Sequence, residues 1–216
     1  SFSTFSQALG RNSDRVDGIL AGLDRMTGGA NAKAKQPNLT LSAPQDLKLC
    51  VTAFDAQIVV SEPASLMSLN SDKIPFAGPG PAPEAFAAGQ FSDNLPALMQ
   101  SKVIESLENT HCFRAVTRVI DNVEADGQVV LDIRNFSVTT TPSAVADFEV
   151  SAKFVSKGKI FGTKIFHEKK DLASVDAPGA GAALDAAFGK VVTALVPWVA
   201  HLWTEAAAAP KKTEFP

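Results

Sequence analysis

The stretch that most constrains the fold is Asn94–Val119, NLPALMQSKVIESLENTHCFRAVTRV, which reads as an amphipathic helix running directly into a strand. Leu95, Leu98 or Met99, Val103 and Leu107 recur at three- and four-residue steps, the spacing that stacks apolar side chains on one helical face. That face has to be buried. Ser92, Asp93 and Asn94 offer side-chain oxygens to cap the first free N–H groups, and Pro96 falls in the first turn, where its missing donor costs nothing. Asn109 and Thr110 break the pattern, and Cys112, Phe113, Val116 and Val119 continue it as an extended segment. The unit predicts a βαβ-type crossover with its leucines under a sheet.

Strands follow the helix. Gln128–Val138 places Val129, Leu131 and Ile133 on one face and then shifts phase to Phe136 and Val138, which predicts a β-bulge near Arg134–Asn135. Ala146, Phe148, Val150, Ala152 and Phe154 alternate with Asp147, Glu149, Ser151 and Lys153, so one side of this strand faces core and the other water. Lys157–Gly158 separates it from Ile160–Glu168 by the length of a tight hairpin turn. From about Gly181 to Glu205, Leu184, Phe188, Val191 or Val192, Leu195, Val199 and Leu202 step at helical spacing, with Pro197 expected to kink the helix. Trp198 and Trp203 are expected to pack at its core or rim. Earlier in the chain, Leu47, Leu49, Val51 and Ala53 alternate with Lys48, Cys50 and Thr52 and suggest a first strand, with Gln57–Ser61 as another short extended piece. Residues 77–90, AGPGPAPEAFAAGQ, read as a loop, either ordered or solvated.

The opening residues carry a different pattern. Phe2, Phe5, Leu9, Asn12, Val16, Ile19, Leu23 and Met26 alternate three- and four-residue steps, the a/d signature of a coiled coil, with Asn12 as a polar residue that can set register. The same spacing also serves an amphipathic helix folded back on its own domain. Residues 28–44 lack apolar periodicity and read as a linker, and 206–216 as a disordered tail.

Chemistry is scarce. His111, His167 and His201 lie on different elements with no HxxxH or HxxE spacing, so no metal site or cofactor is expected. There is no GxSxG turn and no GxxxxGKS loop, and Gly179–Gly181 lacks the context of a dinucleotide fingerprint. Asp121, Glu124 and Asp126 precede Gly127 in a turn and read as solvated. Lys164, Lys169 and Lys170 sit where lysines guard a strand edge. The pattern argues against an enzyme. A net charge of −3 and a pI near 5.6 give no basic field for nucleic acid. No run approaches the roughly 18 consecutive apolar residues of a membrane span, and SFSTFSQ lacks the regions of a signal peptide. Cys50 and Cys112 are either two buried thiols or one disulfide, the latter requiring an oxidising compartment.

The series QIVVSEPASLMSLNSDKIPF, FSDNLPALMQSKVIESLENTHCFRAV, VVLDIRNFSV and VADFEVSAKFVS, with the closing helix, resembles the ABC-type transport auxiliary component family over residues 45 to 204. These are periplasmic, mostly lipoprotein, partners of bacterial lipid transporters. The opening segment SFSTFSQALGRNSDRVDGILAGLDRMTGG resembles the C-terminal tail of a mammalian-cell-entry (MCE) protein, the substrate-binding subunit of the same transporters. The resemblance implies an α/β fold with a mixed β-sheet flanked by helices in an anticodon-binding-like arrangement, behind an N-terminal amphipathic or coiled-coil helix. It divides the chain into an MCE-tail-like helix at 1–27, a linker at 28–44, an auxiliary domain at 45–205 and a tail at 206–216.

The function implied is that of a non-enzymatic periplasmic component that helps assemble an MCE-type ABC lipid transport complex, or that itself carries a lipid in an apolar groove beneath the Gly/Pro-rich loop. The partners implied are MCE subunits and other transporter components, with lipid as a further ligand. A homo-oligomer is expected through a seam of Phe5, Leu9, Asn12, Val16, Ile19, Leu23 and Met26. Ser1 in place of an initiator Met fits a missing upstream segment that anchors the protein to the inner membrane.

Overall fold

The computed structural model describes residues 38–45, 47, 49–119 and 124–209. The heptad seam from Phe5 to Met26 lies outside the described residues, as do residues 28–37 of the expected linker, Asp121 and the tail beyond Ala209.

The fold is α/β, with a six-stranded mixed sheet and helices packed on one of its faces. The strands of this sheet are β2 (Phe54–Val60), β3 (Ala64–Ser65), β5 (Phe113–Arg118), β6 (Gly127–Thr139), β7 (Val145–Ser156) and β8 (Lys159–Asp171). Their order is β5-β2-β6-β7-β8, with β3 alongside β6 where β2 has ended. β2 runs parallel to both β5 and β6, whereas β6, β7 and β8 form an antiparallel meander. The helices are α1 (Glu84–Ala87), α2 (Leu95–Glu108) and α3 (Ala177–Ala208). A separate pair, β1 (Asn38–Leu39) and β4 (Gln90–Phe91), runs parallel.

The β2–α2–β5 unit is the crossover that the sequence predicts. Leu95, Leu98, Met99, Val103 and Leu107 are all buried, and β2 and β5 pair in parallel with Ile58 opposite Val116. The cap differs from expectation. Asn94 is the N-cap residue but makes no side-chain cap bond, and the Leu95 N–H instead donates to the Ser71 carbonyl at 3.1 Å. A passing loop satisfies a donor that local side chains were expected to take.

The bulge also holds: the β6–β7 register slips between Ile133 and Asn135. At the β7–β8 turn both central residues have positive φ, 49° at Lys157 and 69° at Gly158. Two left-handed residues give the twist that a two-residue hairpin loop requires.

Three boundaries move. Residues 38–44, expected in the linker, belong to the folded unit: Leu39 pairs with Phe91, Leu41 is fully buried, and Ser42 donates from its N–H and its hydroxyl to the Asp185 carboxylate at 2.6 and 3.0 Å. The alternation expected over Leu47–Ala53 forms no strand at its described residues, and Val51 is fully exposed. Period-2 spacing is not sufficient where no neighbouring strand accepts the backbone bonds. At the far end α3 starts at Ala177 and runs past Glu205 into the expected tail. Asp176 caps its start by accepting from the Gly179 N–H at 2.8 Å, and Lys157 Nζ donates to the carbonyls of Ala206 and Ala209 at 2.8 and 3.1 Å near its end. A cation from a distant hairpin thus satisfies end carbonyls that the sequence around Ala206 cannot reach.

One core lies between helices and sheet. Met99 and Val103 of α2 and Phe188, Val191, Val192 and Leu195 of α3 close on Leu131, Ile133, Phe148 and Val150. Phe91, Phe136, Phe148 and Phe188 form a run of ring contacts with centroids 5.3 to 6.1 Å apart. α3 is long and apolar enough by composition to cross a membrane, but half of its most apolar stretch is buried within this fold. Trp198 packs edge-on to Phe166 at 5.7 Å, and Trp203 is partly buried against the core, as expected of rim residues. Gly162 lets the helix settle there, because a Cβ on it would come within 2.5 Å of Leu202.

Candidate interaction surface

The histidines remain apart from one another. His167 Nε2 lies 2.7 Å from Asp147 Oδ1, His201 lies 3.5 Å from Glu205 Oε1, and His111 sits in a turn with φ of 53°. Among the described residues no group of three or more His, Cys, Asp or Glu side chains converges as a metal site. Asp126 is a structural bridge: its carboxylate accepts from the Gln57 N–H at 2.8 Å and its own N–H donates to the Gln57 carbonyl at 2.9 Å. Glu124 is exposed.

Cys50 and Cys112 form a disulfide with Cα atoms 5.3 Å apart. Of the two readings open in the sequence, the bonded one is realised. The bond ties the irregular segment before β2 to the entry of β5, where the Phe54 N–H also donates to the Cys112 carbonyl at 2.7 Å.

The sheet face opposite the helices is polar and crossed by ion pairs. Lys169 Nζ lies 3.0 Å and His167 Nε2 2.7 Å from the Asp147 carboxylate, and Arg134 pairs loosely with Glu149 at 3.6 Å. Burial pushes the Asp147 pKa up, but hydrogen bonds from Lys169 and His167 outweigh it and hold the carboxyl below its usual range. Lys164, Lys169 and Lys170 lie on β8, an outer strand of the sheet, as an edge guard requires.

Among the hollows formed by the described residues, two differ in kind. The space left in the helix–sheet core, lined by residues such as Met99, Phe148 and Leu195, amounts to about 10 Å³. It admits no more than one water. The second is a surface groove of about 230 Å³, lined by Leu66, Ser68 and Leu69, by Pro75, Phe76 and Ala77, and by Arg134, Asn135 and Ser137 of β6. Its position follows from the bulge, which turns Arg134 and Asn135 away from the core between the buried Ile133 and Phe136. Phe76 of the lining is held by packing, its ring centroid 6.1 Å from that of the buried Phe86. The Gly/Pro-rich segment is therefore the ordered form of the loop, carrying α1 and a hydrogen bond from the Gly89 N–H to the Phe86 carbonyl.

Leu66, in the lining, is 66% exposed, and Met67, next to it in the chain, is 94% exposed. Sequence reasoning did not single out Leu66, Met67, Phe76 or Arg134 as a site. The available signal was SLMSL, an apolar cluster starting two residues after Pro63 with no period to bury it.

No family model matches the chain. An uncharacterized protein of Bradyrhizobium diazoefficiens is 35% identical over 198 residues, which are 91% of this chain and 53% of that protein. The chain thus spans about half the length of the curated relative it matches. Among solved structures, a Xanthomonas campestris protein of the DUF330 family superposes with a TM-score of 0.67 at 18% identity, covering 80% of this chain and 97% of that one. Another uncharacterized protein superposes with a TM-score of 0.53 at 10% identity, covering 74% of this chain and 99% of that one. At such identities the likeness is one of fold.

Proposed function

We propose that this chain contributes a non-enzymatic docking domain to an MCE-type ABC lipid transport system of the bacterial envelope, working in the periplasm. The reading rests on the sequence resemblance over residues 45 to 204 and gains support from the Cys50–Cys112 bond, which suits an oxidising compartment. The observation that favours docking over lipid carriage is the contrast between a filled core and apolar side chains exposed at the surface. A core with about 10 Å³ to spare has no room for an acyl chain, while apolar side chains stand exposed outside it. Solubilised envelopes test this reading. Full-length protein, isolated gently through an affinity tag, is expected to bring MCE subunits with it and to carry no lipid adduct in native mass spectrometry. Stoichiometric lipid would favour the carrier reading, and absence of MCE subunits would remove the transporter assignment.

A further inference from the structure

On the β2 side of β6, the partners are β2 at Gly127–Val129, β3 at Asp132–Ile133 and Phe76 at Val138. Between the last two, Arg134–Ser137 has no strand partner on that side among the described residues. The groove lies over this interruption. Its volume of about 230 Å³ is below the roughly 300–1,000 Å³ of small-molecule pockets, which suits one or two side chains better than a whole cofactor or lipid. Leu66 gives the lining a large, exposed apolar side chain. Arg134 is the charged residue of its lining, and it is half-exposed with its Glu149 partner at the outer limit of an ion pair, 3.6 Å away. The planar guanidinium keeps donors free for a second carboxylate.

We propose that this groove docks a short extended segment of a protein partner in which an apolar side chain stands next to a carboxylate. The apolar side chain packs among Leu66, Leu69 and Phe76, and the carboxylate accepts hydrogen bonds from Arg134. The proposal rests on the docking role above and adds to it the surface and the chemistry of the occupant.

The test titrates the full ¹⁵N-labelled chain with three capped pentapeptides, SLFES, SLFQS and SSSES, followed by amide chemical shifts. SLFES is expected to move the amides of Leu66–Leu69, Phe76–Ala77 and Arg134–Ser137. SLFQS and SSSES are expected to bind about tenfold more weakly, as loss of a charge-assisted bond or an apolar anchor implies. Arg134→Gln should remove the preference for SLFES over SLFQS, and Leu66→Ser should weaken both without changing it. Equal binding of SLFES and SLFQS, or shifts confined to other residues, would overturn the proposal. So would sedimentation with phosphatidylglycerol vesicles that Leu66→Ser abolishes while no peptide binds, since the occupant would then be a lipid surface. The two readings fail separately: peptide binding at the groove with no MCE subunits recovered sinks the transporter role alone. Recovered subunits with no peptide response sink the groove alone.

Discussion

Strand β7 belongs to two different environments. Ala146, Phe148, Val150, Ala152 and Phe154 are buried toward α2 and α3, while Asp147, Glu149 and Lys153 on the other side face ion pairs and water. The helix side is stabilised by removal of apolar area from water and close packing, at about 25 cal/mol per Å². The open side gains only what partly exposed charge pairs supply, about 0–1 kcal/mol each. The same backbone thus carries a face on which the fold depends and a face left for other uses, and the groove at the bulge joins the second.

The sharpest break of this contrast is truncation on each side. Phe148→Ala is expected to cost about 4 kcal/mol by denaturant unfolding, because it opens a cavity among Phe136, Phe188 and Leu195. Ile165→Ala, on the open face of β8 with 50% exposure, is expected to change stability by about 0.5 kcal/mol or less. Comparable losses would show that the open face is covered in solution.

A smaller effect is expected at the disulfide, which closes a sequence separation of 62 residues. Reduction, or joint replacement of Cys50 and Cys112 by Ser, should lower stability by about 3 kcal/mol. Unfolding midpoints that do not respond to dithiothreitol would mean that the bond is not held in solution. The tie that replaces regular pairing before β2 would then be lost.

The smallest effect belongs to Asp147. Its folded pKa is depressed, so the stability it contributes is present above the ordinary carboxylate value of about 3.9 and is lost as pH falls through the lower folded value. Asp147→Asn should therefore cost under about 1 kcal/mol near neutrality and flatten the pH dependence in that acidic window. A mutant penalty that persists unchanged below the window would assign Asp147 a packing role instead.

Much of the fold was legible because it is local. The steps from Leu95 to Leu107 and from Leu184 to Leu202 specify helices within single segments, and the phase shift at Arg134 marks a bulge without reference to any partner. Strands that depend on partners were less legible. FDAQIVV does not alternate in burial, because Ile58, Val59 and Val60 are all covered, whereas Leu47–Ala53 alternates in sequence and is not a strand. The groove was least legible, since Leu66, Phe76 and Arg134 come from three separate segments.

The sequence by itself determined the periodic elements, their order and the near absence of catalytic motifs, since periodicity and motif spacing are short-range properties of a chain. Only the tertiary structure decided that Asn38–Ala43 joins the folded unit, that Cys50 meets Cys112, and that the β6 bulge shares a groove with Leu66 and Phe76. Each of these is a contact between residues far apart in the chain. Such contacts depend on which strands pair and which faces close together, information that no single segment contains.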